Sequence, residues 1–230
     1  MKHQYEDRTR FMLPRRTYTI VRVDGRAFHH YCRGLERPFD AVFAQNMDLT
    51  AMAMCGVMQG ARLAFVQSDE ISVLLTDFAS PDTEAWFDGN IQKIVSIAAS
   101  EATRDFNYAR EDHRATFDAR AFTIPDPVEV ENYFIWRQKD ATRNSVSMAA
   151  QAVFSHKQLQ GVSTEAMQEM LFTEKGINWN DYPEGFKRGR VVVREQRAEA
   201  LRPSWAIKEP PVFTQDREFL RSLIPRFDLD

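Results

Sequence analysis

The chain is poor in cysteine: Cys32 and Cys55 are the only two in 230 residues. They lie too far apart for a CxxC metal or redox motif, so we expect reduced, packed thiols. Apolar residues nowhere run long enough to span a bilayer, and the stretch MKHQYEDRTRFMLPRR places charges where a signal peptide needs an apolar segment. We therefore expect a cytoplasmic protein with no membrane partner.

The chain also lacks an excess of positive charge, since its formal net charge is −3. This excludes a uniformly basic, nucleic-acid-coating surface, although a local patch can still bind phosphate. Residues 185–202 form such a stretch, with six basic residues against two acidic ones. They are Lys187, Arg188, Arg190, Arg194, Arg197 and Arg202 against Glu195 and Glu199. A solvated face or ion pairs between subunits would explain the same count equally well.

The first half of the chain alternates between strand and helix patterns. β-Branched residues at 17–23 predict a strand, and apolar residues at helical spacing behind Asp40, a candidate N-cap, predict a helix. Strands at 62–67 and 71–76 are joined by three residues, which predicts a hairpin with acids at its tip. A helix over 86–106 and a strand over 115–125 follow. The order βαββαβ is that of an α+β fold with a ferredoxin-like antiparallel sheet.

The pattern changes near residue 126. The remainder is mostly helical, with Ser163 and Thr164 as candidate N-caps, one expected strand at GRVVVRE and an extended, proline-interrupted tail. We therefore divide the chain into two portions, 1–125 and 126–230.

Two acids are expected to meet at one edge of the predicted sheet. The first strand and the hairpin strands are neighbours in this topology, so Asp24 should lie near Asp69. Clustered carboxylates repel one another and usually hold a divalent cation or share a proton. Hard carboxylate oxygens favour Mg²⁺, the ion of nucleotidyl transfer. An Asp-Gly pair by itself is most often just a turn.

Residues around these acids suit a nucleoside triphosphate. Gly25 allows a turn whose carbonyl or amides face a metal or phosphate, and Phe28 offers a stacking or packing face. Positive charge would come from three residues: Arg26, His29 and Lys93. The alternatives are a solvated lysine at 93, surface or core-edge histidines, and a turn-capping role for Ser68.

Seven blocks of the sequence, taken in order, resemble the histidine-tRNA guanylyltransferase family of 3′-to-5′ nucleotide-adding polymerases. The similarity is greatest to its bacterial and archaeal Thg1-like branch and covers roughly residues 10–195. The blocks are VRVDGRAFH, QSDEISVLL, FDGNIQKIVSIAAS, FDARAF, YFIWRQKDATRNSVS, EMLFTEKGINWND and GFKRG.

The resemblance implies a polymerase-like palm over 1–125, with two Mg²⁺ ions, and a helical RNA-binding and oligomerisation portion over 126–230. Asp24 and Asp69 match the metal-binding carboxylates, Gly25 matches the residue that gives a carbonyl to a metal, and Glu70 matches a supporting catalytic residue. The matched nucleotide-binding positions are Gly25, Arg26, Ala27, Phe28, His29, Asp40, Ser68 and Lys93. Arg37 stands where the family has a lysine near Asp40.

The implied reaction runs opposite to ordinary polymerisation, because the RNA 5′ end carries the activated phosphate and the 3′ hydroxyl of an incoming nucleotide attacks it. A 5′-monophosphate end is first activated with ATP, or a triphosphate end is used directly. The implied substrates are ATP, GTP or other nucleoside triphosphates and tRNA, and the implied assembly is a homotetramer.

One departure from the family bears on the substrate. Enzymes dedicated to histidine tRNA carry His-Ile-Asn-Asn after the WRQ-D block, whereas this chain has Thr142, Arg143, Asn144 and Ser145. We therefore predict template-dependent repair of 5′-truncated tRNA, with guanosine addition to histidine tRNA as the alternative. The expected RNA contacts are Arg137, Arg143, Asn144, Lys187, Arg188 and Arg190.

Two rival functions share parts of this pattern. A nucleotidyl cyclase would use the same palm and metals but has no need of the WRQKD and GINWND blocks. A non-catalytic RNA-binding module would read bases with aromatic residues on central strands, and ISVLLTDF lacks that signature.

Overall fold

The computed structural model of the protein describes residues 1–108, 114–196 and 203–227. The strands are β1 (Tyr18–Gly25), β2 (Ala61–Gln67), β3 (Glu70–Thr76), β4 (Phe117–Ile124), β5 (Arg190–Glu195) and β6 (Ser204–Lys208). The α-helices are α1 (Phe28–Tyr31), α2 (Ala41–Val57), α3 (Ile91–Tyr108), α4 (Pro127–Val153), α5 (His156–Leu159), α6 (Thr164–Lys175), α7 (Glu184–Arg188) and α8 (Arg217–Leu223). Short helical turns lie at Lys2–Glu6, Asp7–Thr9, Trp86–Gly89 and Trp179–Asp181.

The strands form one antiparallel sheet in the order β4-β1-β3-β2-β5-β6. The first four strands have the order and direction of a ferredoxin-like sheet, so the predicted fold is confirmed. The portion after residue 126 adds more than helices, because β5 pairs with β2 and β6 pairs with β5. These two strands cover the edge of β2 that would otherwise leave backbone groups unpaired.

Helices cover both faces of the sheet. Helices α2 and α3 cover one face, where the alternate residues Val21 and Val23 of β1 are buried. Helices α4 and α8 cover the other, where Ile20 is buried with Phe134. Because side chains alternate along a strand, Arg22 and Asp24 belong to the same face as Ile20, which is the α4 face. This alternation places the charged side chains of Arg22 and Asp24 on the side of the sheet that faces α4.

Helix α4 connects the sheet to a separate helical cluster. It begins at the N-cap Asp126, whose carboxylate accepts hydrogen bonds from the amides of Val128 and Glu129, with Pro127 at a first-turn position. Its 27 residues extend about 40 Å. The second half packs with α5 and α6 around Val146 and Leu171. One rigid helix therefore carries side chains past the charged edge of the sheet.

Both cysteines are free thiols, as expected, and burial raises the pKa of Cys32 to about 11. Across the described ranges, no helix combines the length and the apolar character needed to cross a membrane.

Candidate active site

The end of β1 and the tip of the β2–β3 hairpin meet at one edge of the sheet. Asp24 lies opposite Glu70 in the β1–β3 register, and the Gly25 amide donates a hydrogen bond of 3.0 Å to the Asp69 carbonyl. Ser68 and Asp69 are the two residues that connect the hairpin strands. The structure thus brings Asp24 and Asp69, predicted as a pair from the sequence, to the same edge.

The two acids stand in an electrostatically unfavourable environment. Burial and the negative charges of Asp24 and Glu70 raise the pKa of Asp69 to about 6, against the lowering effect of its hydrogen bonds with the backbone and with Ser68. Burial, followed by the charge of Asp118, also raises the pKa of Asp24. A cation between these carboxylates would favour their ionised forms.

The available donors fit a hard divalent cation. Within residues 1–108, 114–196 and 203–227, no three histidine, cysteine or carboxylate side chains form a metal cluster. A cation at Asp24 and Asp69 would therefore need backbone carbonyl, water and substrate oxygens as well. Mg²⁺ is commonly bound in this way, by one or two carboxylates together with substrate phosphates.

Glu70 is held by α4. The Arg137 guanidinium donates to both of its carboxylate oxygens, with distances of 2.8 Å from Nε and 2.7 Å from Nη2. Arg137 Nη2 also donates to Asp140, at 2.8 Å. The Glu70 carboxylate is thus engaged in a buried ion pair. Arg137, expected to contact RNA phosphate, is buried in the same pair.

Arg22 is a member of this site that the sequence reasoning missed. Its side chain lines the same cleft as Asp24, and its positive charge partly offsets the rise that burial and Asp118 cause in the pKa of that carboxyl. Its Nη1 lies 4.0 Å from Glu70, and its Nε is buried with no hydrogen-bond partner among the described atoms. A charged residue two positions before Asp24 in an otherwise apolar strand was the available signal, because both side chains must share a face.

Gly25 is required by close packing. A Cβ at this position would lie 2.3 Å from Cδ2 of Phe28. The Phe28 ring is buried among aromatic rings, namely those of Tyr31, Phe43, Phe106 and Phe117. Of the two roles considered for Phe28, the structure shows packing, and its ring has no free face for a nucleotide to stack on.

The neighbouring turn is exposed and conformationally strained. Arg26, Ala27 and His29 lie at the surface next to Gly25, and the Arg26 amide donates to the Thr116 carbonyl at 2.8 Å. Ala27 has a φ of 56° and Ser68 a φ of 46°, values that non-glycine residues seldom adopt. Both loops that flank the acids are therefore fixed in unusual conformations by the surrounding fold.

Asp40 lies near the hairpin tip. Its carboxylate accepts hydrogen bonds from the amides of Phe43 (2.8 Å) and Glu36 (3.1 Å), which confirms the predicted N-cap of α2. Asp40 and Ser68 both line a narrow cavity of about 50 Å³ with Phe43, Met148 and Phe186.

Lys93 is not brought to this edge. It lies exposed in the first turn of α3, where its amide donates to Asn90 at 3.1 Å, and the adjacent Ile94 lines a cavity with Thr19 and Thr76. Thr76 is the far end of β3 from Glu70, roughly 20 Å along the strand. Within one chain, Lys93 and the acids are therefore separated by the length of the sheet.

The remaining residues expected to contact RNA differ in exposure. Lys187 and Arg190 are buried, Lys187 with its Nζ 2.7 Å from the Asn180 carbonyl and Arg190 with its Nε 2.6 Å from Asp48. Arg188 pairs with Glu184, whereas the Arg143 side chain is 62% exposed. Asn144 is exposed and lines the cleft. Arg197 and Arg202 of the basic segment lie outside the described residues.

The acids open into a cleft of about 600 Å³ between the sheet edge and α4. Its lining includes Arg22, Asp24, Ser68, Asp69, Glu70, Trp136, Arg137, Asp140, Asn144, Ser147, Met148 and Gln151. The sequence reasoning missed Trp136 and Asp140 as cleft residues. Their spacing of four within the WRQKD block places them on one helix face and was the available signal.

Comparisons with known proteins agree along nearly the whole chain. Residues 1–125 match the family described as tRNAHis guanylyltransferase, and residues 128–219 match the Thg1 C-terminal domain. A bacterial tRNA(His) guanylyltransferase-like protein in complex with ATP superposes with a TM-score of 0.91 and 42% identity, covering 98% of this chain and 97% of that chain. A bacterial tRNA(His) guanylyltransferase-like protein in complex with GTP superposes with a TM-score of 0.86 and 40% identity, covering 96% of this chain and 96% of that chain. The tRNA(His) guanylyltransferase of Debaryomyces hansenii is 31% identical, over 82% of this chain and 77% of the relative.

Proposed function

Because the chain belongs to the tRNA(His) guanylyltransferase family, whose members are nucleotidyltransferases, we propose that it repairs 5′-truncated tRNA by template-dependent 3′-to-5′ nucleotide addition. The observation that carries this proposal is the pairing of Asp24 and Asp69 at the sheet edge, where the pKa of Asp69 is raised to about 6. Such perturbed carboxylates in a cleft are typical of catalytic sites.

Asp24, Asp69 and the Gly25 carbonyl would hold two Mg²⁺ ions. Bound there, the ions would lower the pKa of the attacking 3′ hydroxyl and neutralise charge on the leaving group. Ser68, Asp40 and the turn from Gly25 to His29 would position the triphosphate, with Arg26 and the backbone amides facing its oxygens. The guanidinium of Arg22 would face phosphate oxygens in the cleft.

The proposed bond changes are those of two displacements at phosphorus. With a 5′-monophosphate end, the RNA phosphate attacks the α-phosphorus of ATP and releases pyrophosphate. The 3′ hydroxyl of the incoming nucleotide then attacks the activated 5′ phosphorus, forms the new phosphodiester bond, loses its proton and releases AMP. With a 5′-triphosphate end the first displacement is omitted and pyrophosphate leaves.

Repair is favoured over dedicated histidine-tRNA maturation by residues 142–145. Thr142 donates to the Gln138 carbonyl at 3.0 Å, and Ser145 donates to the Lys187 carbonyl at 3.1 Å while accepting from Trp179. These two side chains are engaged inside the fold, which leaves Arg143 and Asn144 to face solvent. The exposed polar side chains of this segment are therefore Arg143 and Asn144, in place of the His-Ile-Asn-Asn element that dedicated histidine-tRNA enzymes carry.

The decisive experiment uses 5′-labelled tRNA lacking its first nucleotide, with each of the four bases opposite the gap. Wild-type protein with Mg²⁺ and nucleoside triphosphates should add the complementary nucleotide in each case. Asp69→Ala should add none, while Asp82→Ala, which removes an exposed carboxylate remote from the cleft, should match wild type. Guanosine addition regardless of the template base would support histidine-tRNA maturation instead. RNA binding without extension would support the non-catalytic reading.

We also propose a homotetramer in which a second copy covers α2. The exposed side of this helix carries Val42, Leu49 and Val57, and its only charged residue, Asp48, is paired with Arg190. An uncharged helix face about 25 Å long is typical of an interface. Sedimentation equilibrium should give a tetramer for wild type and a smaller species for Leu49→Lys. A monomeric wild-type protein would contradict the proposal.

A further inference from the structure

We propose that the ring of Trp136 stacks on the terminal base of the RNA acceptor, and that the exposed face of α4 carries the adjoining nucleotides away from the carboxylates. The inference rests on the proposed function and assigns its RNA substrate a position in the cleft.

Trp136 is unusually exposed for its size. Its exposed fraction is 50%, whereas Trp86 and Trp179 are buried and Trp205 is half-buried. The Arg137 guanidinium lies 4.4 Å from the centroid of the Trp136 ring, and the Tyr133 ring meets it edge-on at 5.9 Å. The ring is therefore held in one orientation while half of its surface remains in water, and an oriented ring of this kind can stack any base.

Trp136 begins a continuous stripe on α4. Positions 136, 140, 144, 147 and 151 follow helical spacing, all line the same cleft, and together span about 22 Å. Three of them carry uncharged amide or hydroxyl groups: Asn144, Ser147 and Gln151. Such groups suit base edges and 2′-hydroxyls, which distinguish RNA from DNA.

The single acid on this stripe does not repel a nucleic acid strongly. Asp140 pairs with both Arg137 and Arg143, and hydrogen bonds and the charges of these arginines lower its pKa against the effect of burial. Arg143 adds exposed positive charge on the neighbouring helix position. Arg137 and Arg143 balance the charges of Glu70 and Asp140, so the stripe is close to neutral.

The cleft geometry favours RNA over the incoming nucleotide as the partner of Trp136. Asp40, a proposed triphosphate contact, lines the narrow cavity but not the larger cleft, whereas Ser68 lines both and Trp136 does not line the narrow cavity. Trp136 lines the much larger cleft. At the far end of the stripe, Gln151 also lines a cavity with Arg37 and His156, so the surface continues towards groups that can bind further phosphates.

The test compares Trp136→Ala and Trp136→Phe with wild type on 5′-truncated tRNA. Loss of the stacking ring should raise the KM for RNA about tenfold or more, with the KM for the nucleoside triphosphate unchanged. Trp136→Phe should stay within about threefold of wild type, because phenylalanine retains a stacking face. Phe172→Ala is the matched control, since it removes a 61%-exposed aromatic ring on α6 that does not line the cleft.

A second readout needs no activity. Binding of tRNA should quench tryptophan emission of the wild type, and the quench should be lost in Trp136→Phe although RNA still binds. If the wild-type protein extends no RNA, the proposed function is wrong. The fluorescence quench on tRNA binding still tests whether Trp136 stacks on RNA. A raised KM for the nucleoside triphosphate with an unchanged KM for RNA would place the ring on the incoming base and overturn the proposal. Unchanged kinetics in Trp136→Ala, or an unchanged quench in Trp136→Phe, would overturn it as well.

Discussion

The carboxylate of Glu70 and the guanidinium of Arg137 form a two-point ion pair, with distances of 2.8 and 2.7 Å, between the first residue of β3 and the middle of α4. Both side chains are buried. The pair ties the edge of the sheet that carries Asp24 and Asp69 to the helix that forms the opposite wall of the cleft, so it fixes the width of the cleft.

Arg137→Met should destabilise the protein by about 3–5 kcal/mol, because it leaves the Glu70 carboxylate buried without its partner. The double variant Glu70→Gln, Arg137→Met should regain most of that stability, since neither charge remains. Its nucleotide addition should still be at least about tenfold below wild type, because the cleft walls are no longer tied. Urea unfolding and the extension assay measure the two effects, and equal instability of the single and double variants would contradict this explanation.

Asp69→Asn should stabilise the protein above pH 6 in the absence of divalent cations. The raised pKa of Asp69, about 6 against an ordinary 3.8, means that the folded state binds the proton more tightly than the unfolded state does. The free energy of unfolding therefore falls as the pH rises from 3.8 to about 6. Above that value the ionised Asp69 carboxylate destabilises the folded state to its full extent.

At pH 8 the Asp69→Asn variant should thus be more stable than wild type by on the order of 1–2 kcal/mol, and the gain should vanish at pH 4. Mg²⁺ should stabilise wild type at pH 8 and not the variant. Denaturant unfolding at both pH values measures this, with Asp82→Asn as the exposed control. An equal gain at pH 4 and pH 8 would rule out titration of Asp69 as the cause.

Gly25→Ala should lower stability by about 1–3 kcal/mol, because the new methyl group overlaps the enclosed Phe28 ring. Activity should fall as well, since the turn from Arg26 to His29 must shift. Gly56→Ala provides the control: a Cβ there meets no atom within 4 Å, and alanine should gain about 0.5–1 kcal/mol inside α2. Phe28→Leu should partly rescue Gly25→Ala, and failure of that rescue would argue against the overlap.

Arg143→Gln and Arg190→Gln should behave oppositely. Arg143 is exposed, so its loss should weaken RNA binding and leave stability unchanged. The number of counterions released on RNA binding, read from the salt dependence of the binding constant, should fall by about one. Arg190 is buried against Asp48, so its loss should cost about 3–5 kcal/mol of stability. Binding isotherms at several salt concentrations and thermal melts separate the two. A stable Arg190→Gln variant that loses RNA affinity would show that Arg190 contacts RNA.

Local patterns determined the elements of this fold. Alternating residues in β1, the cap at Asp40 and the three residues between the predicted hairpin strands predicted where strands and helices begin, because these signals act over a few positions. The same periodicity predicted that Asp24 and Asp69 would meet, since a ferredoxin-like topology leaves few alternatives. The resemblance of the seven blocks indicated the family.

Only the tertiary structure decided how the side chains are used. The Phe28 ring is buried, Arg137 and Arg190 form buried ion pairs, and Lys93 lies far from the acids. These outcomes depend on which faces pack together across distant parts of the chain. Likewise, Arg22 and Trp136 share a cleft because α4 packs against the sheet. The sequence alone determined which groups were present, whereas three-dimensional packing determined which of them remain free to meet a substrate.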